Sequence, residues 1–182
     1  MPRQKRFHVP NGVWHVTQRA TDSEVLFRSP ADFAAFLQLL GVVASWARWS
    51  LHEYCLMTNH VHLILQTPHP TLPTGMQRLL GPYVEEFNER HGRRGALVQG
   101  RYKARLVESE EHYLECLQYL AYNPVEAGLC GLPEWPWSSY GRRAGAASPA
   151  MPGPGPDLAR RDGYLPAFAT TKSATAAICS AE

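Results

Sequence analysis

The chain has 182 residues, 45% of them apolar and 19% charged, with a formal net charge of +2. That length carries one domain with a proper core. The purely apolar runs are short and Met1-Pro2-Arg3-Gln4-Lys5-Arg6 leads into no apolar segment, so neither a signal peptide nor a membrane span is expected. The cysteines Cys55, Cys116, Cys130 and Cys179 form no C-x-x-C pair, which predicts a reduced, cytoplasmic protein.

The elements follow in order along the chain. Asn11-Gly12 is a turn dipeptide, and Val13 to Arg19 alternates and is rich in β-formers, a first strand. Ser29-Pro30 reads as an N-cap with proline at the first helical position. Phe33, Phe36, Leu37, Leu40 and Ala44 then repeat at helical spacing, so a helix is predicted to about Ala47. Leu51 to Met57 is a second strand, and Thr58-Asn59 leaves room only for a tight hairpin into a third, Val61 to Leu65. Pro68, Pro70 and Pro73 exclude regular structure as far as Pro73.

Thr74 with Gln77 has capping-box spacing for a second helix that ends near Arg90. An Arg/Gly stretch leads to a fourth strand, Tyr102 to Val107. Ser109 caps a third helix with Glu110 and Glu111 in its first turn, a core stripe of Tyr113, Cys116, Leu117 and Leu120, and Pro124 as its expected stop. This β-α-β-β-α-β-α order predicts an α+β, ferredoxin-like split-βαβ domain: a four-stranded antiparallel sheet with helices packed on one face, plus the third helix. Residues 144–182, rich in Ala, Gly, Pro, Ser and Thr, read as a flexible tail after a domain of residues 1–143.

Two features carry chemistry. In Asn59-His60-Val61-His62 the histidines point to one face of a strand, with Cα atoms roughly 6 to 7 Å apart. They can converge on a divalent metal completed by oxygen ligands, or be half-buried strand histidines bonded to backbone. Tyr119 and Asn123 lie one helical turn apart on one face, about 6 Å between their Cβ atoms. They can present a nucleophilic phenol beside a ligating carbonyl, or be an edge tyrosine and a helix-ending asparagine. The basic residues are 15 Arg and 3 Lys and they cluster: Arg3, Lys5 and Arg6, then Arg90, Arg93, Arg94, Arg101, Lys103 and Arg105. Such clusters suit phosphate oxygens and also an ordinary solvated loop.

Taken together, the motifs resemble the REP-associated tyrosine transposases, bacterial members of the HUH (His-hydrophobic-His) single-strand transposase superfamily. The resemblance runs from Arg6 to about Tyr140. It rests on Val13-Trp14-His15-Val16-Thr17-Gln18-Arg19, Tyr54 to Leu63 around Asn59-His60-Val61-His62, Gly100-Arg101-Tyr102-Lys103-Ala104, Tyr119-Leu120-Ala121-Tyr122-Asn123-Pro124-Val125 and Trp135-Pro136-Trp137-Ser138-Ser139-Tyr140. Glu126 stands where the family often has a basic residue.

The resemblance implies that His60 and His62 bind a divalent metal, Mg²⁺ or Mn²⁺, with Asn123 as third ligand, and that Tyr119 is the nucleophile. It further implies cleavage and rejoining of single-stranded hairpin or repeat DNA through a 5′-phosphotyrosine, by a monomer or homodimer. Arg6, Arg93, Arg94, Arg101 and Lys103 are the expected DNA-backbone contacts. Because histidine ligates in its neutral form, activity is expected to fall below roughly pH 6. The alternatives are a hairpin-DNA-binding protein without cleavage and a metal-dependent nuclease that uses water.

Overall fold

The computed structural model describes residues 8–22, 24–131 and 134–144. The elements are β1 (Gly12–Arg19), α1 (Pro30–Ala47), β2 (Ser50–Leu56), β3 (His60–Thr67), α2 (Leu72–Arg90), β4 (Lys103–Leu106), α3 (Glu110–Glu126) and a short α4 (Ser139–Arg143). The strands form one antiparallel sheet in the order β2-β3-β1-β4. This is the split-βαβ arrangement expected from the element order, with β3 inserted between β1 and β2. Residues 145–182, which include almost all of the expected tail, lie outside the described residues, as does Arg6.

Strand alternation divides the side chains between two cores. Trp14, Val16, Leu51, Tyr54, Leu56, Val61, Leu63 and Leu65 join Phe33, Phe36, Leu37, Leu40, Met76, Leu79, Tyr83 and Phe87 of α1 and α2 in the larger one. Val13, Cys55 and Ile64 meet Tyr113, Cys116 and Leu120 of α3 in the smaller one. Opposite parity along β1 and β3 places these sets on opposite faces of the sheet, so α3 covers the face that α1 and α2 leave open. By length and apolarity α1 passes for a membrane span, but Phe33, Phe36, Leu37, Leu40 and Val43 are buried in the larger core.

The strand ends lie within one or two residues of the sequence reading, and two helix boundaries differ from it for a physical reason. α2 starts at Leu72, before the expected cap at Thr74, with Thr71 as its N-cap. Pro73 is accommodated in the first turn because the N–H it lacks has no partner there in any helix. α3 continues through Pro124 to Glu126. Proline's fixed φ is compatible with the helix, the cost is one backbone bond to the Leu120 carbonyl, and Pro124 is buried, so packing offsets it.

A bulge tunes the outer strand. Leu51 pairs with Leu65 and Glu53 with Ile64, so His52 is the extra residue, and Glu53 is turned away from the larger core onto the α3 face. There His52 Nδ1 lies 2.9 Å from the Tyr113 hydroxyl, and Glu53 pairs with Arg143 and with the Ser139 hydroxyl. Burial pushes the Glu53 carboxyl up to about 7 against the opposing pull of Arg143.

The Trp135 to Tyr140 motif closes the free edge of β2. Trp137 O accepts from Leu56 N at 3.0 Å, Ser139 Oγ accepts from Tyr54 N at 2.8 Å, and the Trp137 ring stacks on Phe33 at 4.5 Å.

Candidate active site

The histidine pair sits where a hairpin turn, the central strands and α3 meet. Met57 N donates to His60 O to close the turn. Ala20 N on the Asn59 carbonyl and Leu26 N on the Thr58 carbonyl, each at 2.8 Å, fix it from outside. His60 and His62 then enter β3 opposite Arg19 and Thr17 of β1, on the face covered by α3.

Both histidines are buried, at 8% and 4% exposure, with ring centroids 4.9 Å apart and planes at 88°. His60 Nε2 lies 3.2 Å from Asn123 Oδ1, and its Nδ1 lies 2.7 Å from Asn59 Oδ1. A neutral imidazole has one N–H to share between those two oxygens. With the proton on Nδ1, donated to the nearer Asn59 oxygen, the Nε2 lone pair faces a second acceptor across 3.2 Å, an arrangement suited to a cation.

His62 Nδ1 is contacted by His15 Nε2 at 2.9 Å and Thr17 Oγ1 at 3.3 Å, while its Nε2 is buried without a hydrogen-bond partner among the described residues. Desolvation holds both rings below the ordinary histidine range. His62 is pushed down to about 3 by burial first and then by His60, His15 and Arg19. His60 is lowered by burial and Arg19 against the raising effect of Asn123. Both shifts favour the neutral form of the rings, the form in which histidine ligates.

α3 supplies the rest. Asn123 is 7% exposed, whereas Tyr119, one turn earlier, is 44% exposed, with its ring edge-on to His62 at 5.2 Å and near His15 at 6.2 Å. Tyr113 is buried in the smaller core, and Tyr122 is half-buried. The structure thus brings His60, His62, Tyr119 and Asn123 together.

The residues present fit a divalent metal. The orphaned His62 Nε2, the His60 Nε2 lone pair and Asn123 Oδ1 form a nitrogen-nitrogen-oxygen donor set, which suits Mn²⁺ better than the oxygen-preferring Mg²⁺. Among the described residues no group of three or more His, Cys, Asp and Glu forms a site, so Asn123 is the oxygen donor on which a third protein ligand depends.

The basic residues separate into two sets. Lys103 pairs with Thr17 and Arg105 with His15, so both exposed β4 cations share the face of the histidines. Arg19 lies on that face by the same parity, beside His60. Arg94 and Arg101 are exposed in the connection before β4. Arg93 is engaged within the fold, with Glu24 Oε1 and Asn88 Oδ1 each at 2.8 Å.

His15, Thr17, Arg19 and Asn59 stand in motifs of the sequence and Arg105 in its basic cluster, but sequence reasoning gives none of them a role in the site. Their membership depends on strand register, which the chain signals through the shared parity of His15, Thr17 and Arg19.

No family model matches the chain. A Haemophilus influenzae protein assigned as a REP-associated tyrosine transposase is 29% identical over 100 residues. That match covers 48% of this chain and 57% of the relative, so the chain spans little more than half of the relative's length. A solved structure of a REP-associated tyrosine transposase bound to a REP hairpin shares the fold, with a TM-score of 0.66, 16% identity, and coverage of 89% of this chain and 96% of that one. A crystal structure of a Deinococcus radiodurans protein assigned as a transposase aligns with a TM-score of 0.45 at 19% identity, over 71% of this chain and 100% of that one. The chain is thus similar in sequence to one REP-associated tyrosine transposase over the matched stretch and shares the fold of another over most of its length.

Proposed function

We propose that the chain is a metal-dependent tyrosine transposase that cleaves and rejoins single-stranded hairpin or repeat DNA in a bacterial cytoplasm. The observation that carries this reading is the exposed Tyr119 ring set edge-on against a buried His62 whose Nε2 has no hydrogen-bond partner among the described residues. A core histidine pair has no use for an unsatisfied buried nitrogen, and a packing tyrosine is not left 44% exposed.

His60, His62 and Asn123 are the residues that would hold Mg²⁺ or Mn²⁺. The chemistry a bound divalent cation supplies here is Lewis-acid polarisation of the scissile phosphate. Tyr119 provides the nucleophile: its phenolic oxygen forms a bond to phosphorus, the P–O3′ bond breaks, the phenol proton is released, and the leaving 3′-oxygen takes up a proton. The 5′-phosphotyrosine conserves the phosphodiester bond for rejoining. Arg19, Lys103 and Arg105 line the same sheet face, where they can pair with backbone phosphates and fix the strand's path.

The test is a denaturing gel after incubation of the full chain with labelled single-stranded hairpins and Mn²⁺. A covalent protein-DNA adduct supports the proposal. Clean cleavage without adduct assigns the water-using nuclease, and shifted but intact DNA assigns the binder.

A further inference from the structure

We infer that His15, through its contact with His62, is a positioning residue that holds His62 in the Nδ1–H tautomer and so keeps the His62 Nε2 lone pair directed into the site. The inference rests on the metal site proposed above and assigns a role to a residue outside the ligand set.

The geometry leaves two ways to place one proton between the rings, whose nitrogens are 2.9 Å apart. If His15 Nε2–H donates, neutral His62 carries its own proton on Nε2, where a buried donor meets no acceptor among the described residues. Leaving a buried donor unsatisfied is the more expensive choice. If His62 Nδ1–H donates, His15 Nε2 is the acceptor and His15 carries its proton on Nδ1, which lies 3.9 Å from Cys116 Sγ, a weak acceptor. Only this second arrangement presents His62 Nε2 as a lone pair.

Thr17 Oγ1 sits 3.3 Å from the same Nδ1 and can accept a share of that proton, but a hydroxyl rotor donates as readily as it accepts and does not select a tautomer. His15 is not itself a candidate ligand, because its Nε2 is occupied by His62. The two rings meet as diagonal neighbours across the β1–β3 ladder, since His15 is paired with Ile64 and Thr17 with His62. The orientation of His62 is thus set by strand register, and His60 receives the same service from Asn59, 2.7 Å from its Nδ1.

The experiment combines two readouts on the full chain. Two-bond proton-nitrogen correlation spectra of the metal-free protein, with the His62 signals assigned by their loss in His62→Ala, should show the proton on Nδ1. Mn²⁺ titration should give a dissociation constant about ten- to a hundredfold weaker in His15→Leu, the usual cost of losing a ligand's orienting partner. His15→Gln, whose amide oxygen can accept from Nδ1–H, should restore both the tautomer and most of the affinity. His62 protonated on Nε2 in the wild-type protein overturns the inference, as does a His15→Leu variant that binds Mn²⁺ as tightly as wild type. A wild-type protein that binds no Mn²⁺ sinks the metal site instead, and the tautomer spectrum then still decides the role of His15.

Discussion

Tyr119→Phe removes the oxygen proposed to attack phosphorus and almost nothing else. The ring is 44% exposed and keeps its edge-on contact with His62, so the expected change in stability is within about 0.5 kcal/mol, the ordinary range for surface substitutions. Mn²⁺ binding and hairpin binding should persist, and the covalent adduct should disappear. Tyr113→Phe is the informative contrast. Tyr113 is 7% exposed and its hydroxyl sits 2.9 Å from His52 Nδ1, so the variant loses a part-buried hydrogen bond worth about 1 kcal/mol. In a domain of this size that lowers Tm by about 3 °C. Its adduct should remain, because its hydroxyl is engaged with His52 on β2 rather than set against His62 as the Tyr119 ring is.

The two substitutions therefore separate packing from chemistry. Each protein is melted by circular dichroism and assayed on a denaturing gel with single-stranded hairpin and Mn²⁺. Adduct formation by Tyr119→Phe, or peptide mapping that places the DNA on Tyr113 or Tyr122, would refute the reasoning.

The remaining predictions follow from the same geometry. His60→Ala and His62→Ala should each abolish adduct formation and weaken Mn²⁺ at least about tenfold while the far-ultraviolet spectrum is kept; wild-type Mn²⁺ affinity in either excludes it as a ligand. Arg105→Glu should reduce the salt dependence of hairpin binding by roughly 0.7 in slope for each phosphate that is no longer neutralised, and an unchanged slope removes β4 from the DNA path. Arg93→Glu should act on stability instead, because it sets a negative charge against Glu24, so its signature is a lower Tm with the salt slope intact. Glu53 is held near 7 against an ordinary 4.5, so its stabilising protonated form is fully present below about pH 4.5 and lost as pH rises through 7. Glu53→Gln should gain up to ~3 kcal/mol relative to wild type between those limits, read from urea unfolding at both ends; a pH-independent difference would place the carboxylate outside this linkage.

The sheet and its helices were legible because their signals are local. Ser29-Pro30, the stripe from Phe33 to Ala44, and the two-residue connection Thr58-Asn59 each name their structure within a few residues, and α1 begins at Pro30 as read. The pairing of Tyr119 with Asn123 was legible for the same reason, since helix geometry alone puts them on one face. What escaped depends on partners distant in sequence. His15 lies 47 residues before His62 and meets it through the β1–β3 register. Arg93 and Arg105 look equivalent in a run of basic residues, yet Glu24 engages one and strand parity points the other at the site. Pro124 was read as a stop because chain chemistry shows its missing donor and not the burial that offsets it.

α3 joins these local and distant determinants. Its inward residues Cys116 and Leu120 pack into the cluster that contains Ile64, and Ile64 is the next residue on the same face of β3 after His62. Tyr119 and Asn123 flank Leu120, so the packing of one leucine at that face of the sheet sets the rotation and depth at which the phenol and the amide approach the histidines. Extending the helix through Pro124 adds Pro124, Val125 and Glu126 beyond Asn123, the first of them buried, and keeps that asparagine within the helix. Shape at this site is therefore held by apolar contacts of Leu120 and Ile64, one to three residues along the chain from Tyr119, His62 and Asn123. A cavity at Leu120 should disturb the Tyr119–His62 geometry before it unfolds the domain, because the larger core on the other face of the sheet does not include α3.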